Sequence, residues 1–600
     1  MLLGSYYRRQ LLVCILPRAF SSTTGYTCNY CGAPRVFLGG ETLGTPLRVV
    51  MTNTLNNLRA LSKRHVLAIT CALVCGVLIL APQIVFIVHE GNNYKGLYMM
   101  KTESEWYYLA RMQEVYDEGR IGNPFLFEHK WNGPIFVSPG GETILAIPGR
   151  LLNISVPTIN LIYKFLLPAI TFLLLYALIF RLTASVVWSV TGALMFLVGS
   201  TWLYANNLSH LLRGDLWFDG FVYNRPVHPQ FDGMLTFLYL NVLLSVFRSP
   251  KARWFVALAA LLGLSFYTYL YSFTFFLALN FVFVLLWLCF GRKREARNLS
   301  IATFFGIVLG LPALFAIYEA TKHPDYVYMV YSTDHGHLPE ISKNGILVSL
   351  LLIGYFFYAK ATRAVDVVRQ ELTFLCGLLV TTFVVVNQQV LTGVSLYSGH
   401  YHHNFNIPIF VVVLMFLASV VVARFLNTQP KHTRSNLEGS VPKVRPRIFW
   451  FDLVLRLLPW VLSVVFIATG AFVQYSSYYN WAPQTSEEQK FMPALSWLKE
   501  HTEKDSVVMA NEALSEIIPV FTENNVMWSS GATNYLVPPE RLRFTPENLL
   551  QSNDFLRDIR QYRVDYILWD EKADPNWRID RFRLPLLFAS EGLVIYQLPK

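Results

Sequence analysis

Charge is scarce in this chain. Only 15% of its 600 residues are Asp, Glu, Lys or Arg, against 54% hydrophobic and 15% aromatic. That is more apolar surface than a soluble core can bury, which excludes an ordinary soluble protein and points to an integral membrane one. Cysteine is scarce as well. Of the seven, Cys71, Cys75, Cys289 and Cys376 lie within hydrophobic runs and residues 476–600 contain none, so no disulfide framework is expected. Cys28 and Cys31 form an isolated C-x-x-C without a second ligand pair in residues 1–64, and are read as incidental rather than as a zinc site. A secretory signal pattern is missing from the first fifty residues. Met51 opens a short polar, basic segment and is read as a candidate start, residues 1–50 then carrying no function. Acidic residues are outnumbered, giving a net charge of +11. The basic residues sit mainly in short segments between apolar runs, where they set orientation and meet anionic headgroups, so nucleic acid is not an expected partner.

What is present is a long series of apolar runs. A helix needs about 20 apolar residues to cross the hydrocarbon, and about eleven runs approach that length. They lie near 65–89, 159–180, 184–204, 232–247, 254–270, 273–290, 300–319, 344–359, 371–390, 405–424 and 449–474. With the N-terminus inside, the clusters Arg59/Lys63/Arg64, Arg181, Arg248/Lys251/Arg253, Arg292/Lys293/Arg294/Arg297, Lys360/Arg363/Arg369 and Lys431/Arg434/Lys443/Arg445/Arg447 all fall on the cytoplasmic side. The expectation is a multi-pass inner-membrane protein with a cytoplasmic N-terminus and an extracytoplasmic C-terminus. Because both flanks of 254–290 are basic, that stretch must be two short helices turning at Tyr269-Leu270-Tyr271-Ser272.

The organisation expected is therefore a cytoplasmic segment 1–64, a transmembrane domain 65–475 with a first outer loop 90–158, and an extracytoplasmic α/β domain 476–600. Pro493 opens a helix with Ala494, Leu495 and Leu498 on one face. Strands are expected at Ser506–Ala510, Val564–Trp569 and Gly592–Leu598. Tyr475, Tyr478, Tyr479 and Trp481 form an aromatic collar after the last run, which leaves little flexible linker and predicts a domain lodged against the bundle.

The outer segments 90–158, 205–231, 320–343 and 388–404 carry the candidate chemistry. In the first loop, Glu103 and Glu105 precede Trp106-Tyr107-Tyr108-Leu109-Ala110-Arg111, read as a helix capped by carboxylates and lying at the membrane interface through its aromatics. A carboxylate there suits a general base or a divalent cation, and the aromatics suit a sugar or a lipid chain. His400, His402 and His403 form a dense cluster fit for a phosphate or a metal. Asn387-Gln388-Gln389 places three amides at the end of an apolar run, suggesting a polar cavity. Loop 205–231 brings His210, Arg213, Asp215, Asp219, Arg225 and His228, with Asp232 beyond it, where an Arg suits a phosphate and an Asp a shared metal. Asp325, Asp334, His335 and His337 in 320–343 read as solvated loop charges.

Ser104-Glu105-Trp106-Tyr107-Tyr108-Leu109-Ala110-Arg111, Arg225-Pro226-Val227-His228-Pro229-Gln230, and Asn387-Gln388-Gln389-Val390-Leu391-Thr392-Gly393 followed by Gly399-His400-Tyr401 together resemble segments of the GT-C superfamily of polyprenyl-phosphate-dependent glycosyltransferases. The similarity is to its bacterial, mostly uncharacterised members. It implies a polytopic helical fold of about eleven spans with a C-terminal extracytoplasmic α/β domain, and transfer of a hexose or pentose from a polyprenyl-phosphate sugar lipid to a glycan, lipid or protein acceptor. It further implies Glu105, then Glu103, as catalytic carboxylates, and Arg111, Arg225, His400 and Tyr108 as substrate-binding residues. A divalent cation, Mg or Mn, would take Glu105, Asp215 and His402 as candidate ligands. The family carries an Asp-Glu pair in the first loop, and here Ser104 stands in place of the Asp. A catalytically inactive binding protein is one alternative for that reason, and a transporter or lipid flippase is the other.

Overall fold

The computed structural model describes residues 45–99, 105–131, 133, 137–327, 336–362, 365–394, 396–427, 446–552 and 554–599. Glu103, Ser104, Cys28, Cys31, Asp334 and His335 lie outside the described residues. Residues 64–600 form one compact unit; within 1–63, only the start of the first helix is described.

Long apolar runs fold as helices because a helix alone satisfies every backbone donor and acceptor within one segment. In chain order the larger helices are α1 Thr45–Glu90, α2 Glu105–Glu118, α3 Gly140–Leu152, α4 Val156–Thr183, α5 Val186–Leu197, α6 Ala205–Arg213, α7 Asp232–Arg248, α8 Ala252–Thr268, α9 Leu270–Cys289, α10 Lys293–Thr321, α11 Lys343–Ala361, α12 Val365–Val386, α13 Ile407–Asn427, α14 Pro446–Glu488, α15 Phe491–His501 and α16 Glu512–Phe521. Among the described residues, nine helical stretches are long and apolar enough to cross a membrane, and the chain is a multi-pass membrane protein. Two more of the expected runs form the shorter apolar helices α5 and α8, of 12 and 17 residues. The break expected in 254–290 falls at Tyr269, which is extended (φ −152°, ψ 127°) between α8 and α9. Helices α8 and α10 approach closely through Gly263, Gly306 and Gly310, where a Cβ would collide with Leu309, Leu262 and Phe266.

The C-terminal sheet has the order β2-β1-β3-β5-β4, with β1 Val507–Met509, β2 Asn525–Val526, β3 Val564–Asp570, β4 Leu586–Ser590 and β5 Leu593–Gln597. Strand β1 runs parallel to β2 and β3, while β3, β5 and β4 are antiparallel neighbours. Three of the five strands match the expected ones. β2 has two residues, too short for an alternation, and β4 is an edge whose Leu586 is exposed. The β4–β5 hairpin turns on Glu591 and Gly592, both at positive φ (55° and 86°), the geometry a tight two-residue turn demands.

This domain is bonded to the first loop rather than suspended from the bundle. Helix α14 runs unbroken to Glu488, through the expected boundary at 475, and Gln489 then donates to the Leu97 carbonyl (2.8 Å) and accepts from Lys95 N–H (2.9 Å). Val526 N–H donates to Phe125 O (2.7 Å), Asn525 to Pro124 O (3.1 Å) and Arg541 to Glu128 (2.6 Å). One buried apolar cluster joins Leu109, Met112 and Val115 of α2 with Leu495, Leu514, Ile517 and Ile518 of the domain.

Candidate functional site

The first-loop helix is buried rather than interfacial. Trp106 lies against Phe521, with ring centroids 6.1 Å apart, and Tyr107 against Tyr535 at 6.1 Å and Phe125 at 6.3 Å. The aromatics expected to anchor in lipid therefore pack on protein, because the C-terminal domain covers that face of α2. Its charges are paired inwards. Glu105, 2% exposed, accepts at Oε1 from Asn160 (3.1 Å) and faces Lys164 Nζ at 2.7 Å, the lysine being 1% exposed. Arg111 is fully buried and donates to Glu142 (2.6 Å), Tyr107 (3.2 Å), Tyr535 (3.3 Å) and the Val137 carbonyl (3.0 Å). Burial works against the Arg111 charge, yet Glu142 and the tyrosines outweigh it and raise its pKa well above the ordinary range. Glu105 and Arg111 are thus engaged with α4 and α3, their described partners lying within the protein.

Three of the four residues put forward for substrate binding are linked by one chain of ring contacts. The Arg225 guanidinium lies 5.3 Å from the Tyr108 ring centre, and Tyr108 packs edge-on to His228 at 5.1 Å. His228 stacks on Tyr269 at 4.5 Å. The Tyr269 hydroxyl bonds His400 Nδ1 at 2.6 Å, and His400 stacks on Tyr271 at 4.5 Å and packs against Tyr397. Arg225, Tyr108, Tyr269, Tyr271 and His400 are all part-exposed. No carboxylate pairs with Arg225 among the described residues. Burial pushes the Tyr108 phenol up, and Arg225 opposes it.

Local sequence explains why these groups converge. Pro226 and Pro229 exclude a regular helix before α7, and a residue preceding proline favours extended backbone. His228 accordingly sits at φ −137°, ψ 126°. Asp232 opens α7, where a carboxylate suits the helix N-terminus, and is hydrogen-bonded to His228 Nδ1. Gly140, at the start of α3, allows that helix to rest on the Tyr267 carbonyl, which a Cβ would strike. This draws α3 towards the Tyr269 turn.

The other candidates lie apart. Asp215 faces His210 (2.9 Å) and Arg213 (3.1 Å). His402 Nε2 bonds Glu340 (2.7 Å), and His403 bonds Tyr204. Glu105, Asp215 and His402 thus belong to three separate pairs, and among the described residues no three His, Cys, Asp or Glu side chains form a cluster fit for a metal ion. Asn387 exchanges hydrogen bonds with the Glu340 backbone (2.7 and 3.1 Å), while Gln388 and Gln389 donate to Val394 O (2.8 Å) and Leu338 O (3.2 Å). These amides brace a loop. They border a groove of about 770 Å³ lined by Pro339, Glu340, Val380, Phe383, Val384 and Leu391 among others, mostly apolar rather than the polar cavity expected. Sequence reasoning named His228 and Asp232 without pairing them, and read Tyr269 and Tyr271 only as a turn. The i, i+4 spacing of His228 and Asp232, across a proline break, was the available signal.

No family model matches this sequence, and no curated protein does. Among solved structures, ArnT from Cupriavidus metallidurans in the apo state is 12% identical with a TM-score of 0.45, the match covering 86% of this chain and 97% of that one. The same protein bound to undecaprenyl phosphate is 13% identical with a TM-score of 0.46, covering 90% and 98%. At those values the likeness carries no argument about family or chemistry.

Proposed function

We propose that this protein is a membrane glycosyltransferase that moves a sugar from a polyprenyl-phosphate donor to an acceptor at the extracytoplasmic face. The observation that carries this reading is the convergence of Arg225 and His400 on a ring of tyrosines at one end of the bundle, with no carboxylate on Arg225 among the described residues. Cationic and neutral donors beside aromatic faces suit a phosphate joined to a sugar, since the phosphate takes charge-assisted hydrogen bonds and the sugar stacks. The apolar groove is lined in part by Glu340, the partner of His402, which stands two positions along the chain from His400, and it offers a surface for an isoprenoid chain. A lipid-linked donor needs those two environments side by side.

The chemistry proposed is displacement at the anomeric carbon through an oxocarbenium-like transition state. Arg225 and His400 meet the charge that develops on the departing phosphate, and a base removes the acceptor hydroxyl proton. Glu105 remains the candidate base that the sequence supplies, and its pairing with Lys164 and Asn160 would have to open for that role.

The test is binding of a polyprenyl phosphate to the protein in lipid nanodiscs, together with release of sugar from radiolabelled polyprenyl-phospho-hexose and polyprenyl-phospho-pentose. Losing a hydrogen bond to a charged group costs about 1.5–3 kcal/mol, so Arg225→Ala is expected to weaken lipid binding roughly tenfold to a hundredfold, and His400→Ala less. Wild-type affinity in both variants would overturn the assignment of the phosphate.

A further inference from the structure

We propose that His228, oriented by Asp232, is the base that takes the acceptor proton, an assignment that rests on the glycosyltransferase reading and gives the role to His228 in place of Glu105. His228 is 3% exposed and Asp232 1%. Nδ1 of His228 is hydrogen-bonded to Asp232 Oδ2, while Nε2 has no hydrogen-bond partner among the described residues. A carboxylate on Nδ1 holds the proton there, so the neutral imidazole presents its lone pair at Nε2. That is the arrangement of a general base with an orienting acid. An imidazole held only for packing would leave an unsatisfied nitrogen in the interior, which is a costly arrangement.

The ring is fixed between Tyr269 and Tyr108. Gly141 lies beside the ring without a side chain, and a Cβ there would stand 3.7 Å from Cε1, while Nε2 itself is buried. The same tyrosines join His228 to the proposed phosphate groups, since Tyr108 carries Arg225 and Tyr269 carries His400. An acceptor hydroxyl at Nε2 would therefore stand beside a sugar whose phosphate faces Arg225. In the step itself, the hydroxyl proton passes to Nε2 as the acceptor oxygen bonds the anomeric carbon. The bond from that carbon to the phosphate oxygen breaks, and its electron pair leaves with the polyprenyl phosphate.

The groups facing His228 from every neighbouring element bear on its pH dependence. They are Asp232 of α7, Tyr108 of α2, Tyr269 after α8, Arg225 on its own segment and His400. Beyond them lie two closed pairs, Glu142 with Arg111 and Glu105 with Lys164. Neither closed pair contacts Nε2.

The experiment compares His228→Gln, Asp232→Asn and Glu105→Gln in the full chain, measuring polyprenyl-phosphate binding and the pH profile of sugar transfer from radiolabelled polyprenyl-phospho-hexose and polyprenyl-phospho-pentose in isolated membranes. His228→Gln is expected to bind the lipid as wild type does, to lose roughly a hundredfold to ten-thousandfold in turnover, and to lose the acid limb of the profile. Asp232→Asn should show a smaller loss with a displaced acid limb, and Glu105→Gln should keep the limb. Full turnover in His228→Gln, or loss of lipid binding in step with turnover, would overturn the proposal, as would disappearance of the acid limb in Glu105→Gln alone. Should His228→Gln fail to insert, an unmoved acid limb in Asp232→Asn would overturn it. A wild-type protein that binds no polyprenyl phosphate would instead remove the glycosyltransferase reading beneath it.

Discussion

Two charged assemblies lie within reach of one helix and differ in what their charges face. On the buried side of α2, Glu105 with Lys164 and Arg111 with Glu142 are closed pairs, each side chain at most 2% exposed. Between them along the same flank, Tyr108 supports Arg225, which no described carboxylate neutralises, and the chain of rings continues to His400. A buried charge is tolerable only when paired, so the first assembly reads as structure. An arginine left to aromatic faces and solvent is available to a ligand, so the second reads as a site. Glu105, Tyr108 and Arg111 are spaced i, i+3, i+6 along α2 and follow one flank of it, so the closed pairs bracket Tyr108 and brace the stretch that presents it.

That comparison breaks most visibly at Arg111. Removing one member of a buried pair costs about 3–5 kcal/mol, so Arg111→Ala should lower the thermal unfolding midpoint sharply or prevent accumulation of folded protein. Adding Glu142→Leu should recover part of that loss, because the stranded carboxylate is the expensive group. A wild-type midpoint in Arg111→Ala would show that the pair is not the support inferred here. Arg225→Ala should do the reverse: its cation–π contact is worth roughly 0.5–1 kcal/mol, so stability should scarcely move while polyprenyl-phosphate affinity falls. Equal losses in both properties would erase the distinction between the two assemblies.

The smallest effect concerns the seam between α2 and the C-terminal domain. Burial pushes the Glu114 carboxyl up to about 7, against the pull of Lys130, and burial pushes Asp117 up to about 6. A carboxyl whose pKa rises on folding keeps in the native state a proton that the unfolded chain has lost, so its contribution is full below the unfolded pKa and is lost as pH rises to the folded one. The unfolding midpoint should therefore decline between about pH 4 and 7 through these groups. Glu114→Gln should flatten part of that decline, and an identical pH dependence in wild type and variant would show that Glu114 does not titrate there.

Much of the architecture was legible because it follows local pattern. Apolar runs gave the helices, and the basic flanks of 254–290 required a turn, which falls at Tyr269. Alternation and β-branched residues located β1, β3 and β5. Strand β2 escaped because its pairing is made by the sheet and by Phe125 of the first loop rather than by its own two residues. The interfacial reading of α2 failed for a related reason. Aromatics beside carboxylates look alike whether they meet lipid or another domain, and here the C-terminal domain occupies that face.

The sequence by itself determined that this chain enters a membrane many times, where it turns, and which polar residues stand at the ends of its apolar runs, since the cost of burying backbone and charge in hydrocarbon leaves few other solutions. Tertiary structure alone decided which of those residues are spent on each other. Arg111 meets Glu142 across 31 positions, Asn160 meets Glu105 across 55 and His400 meets Tyr269 across 131. A local pattern reports the type of a charge and its depth, whereas its partner is chosen by packing, and it is the partner that separates a structural ion pair from a residue free to bind.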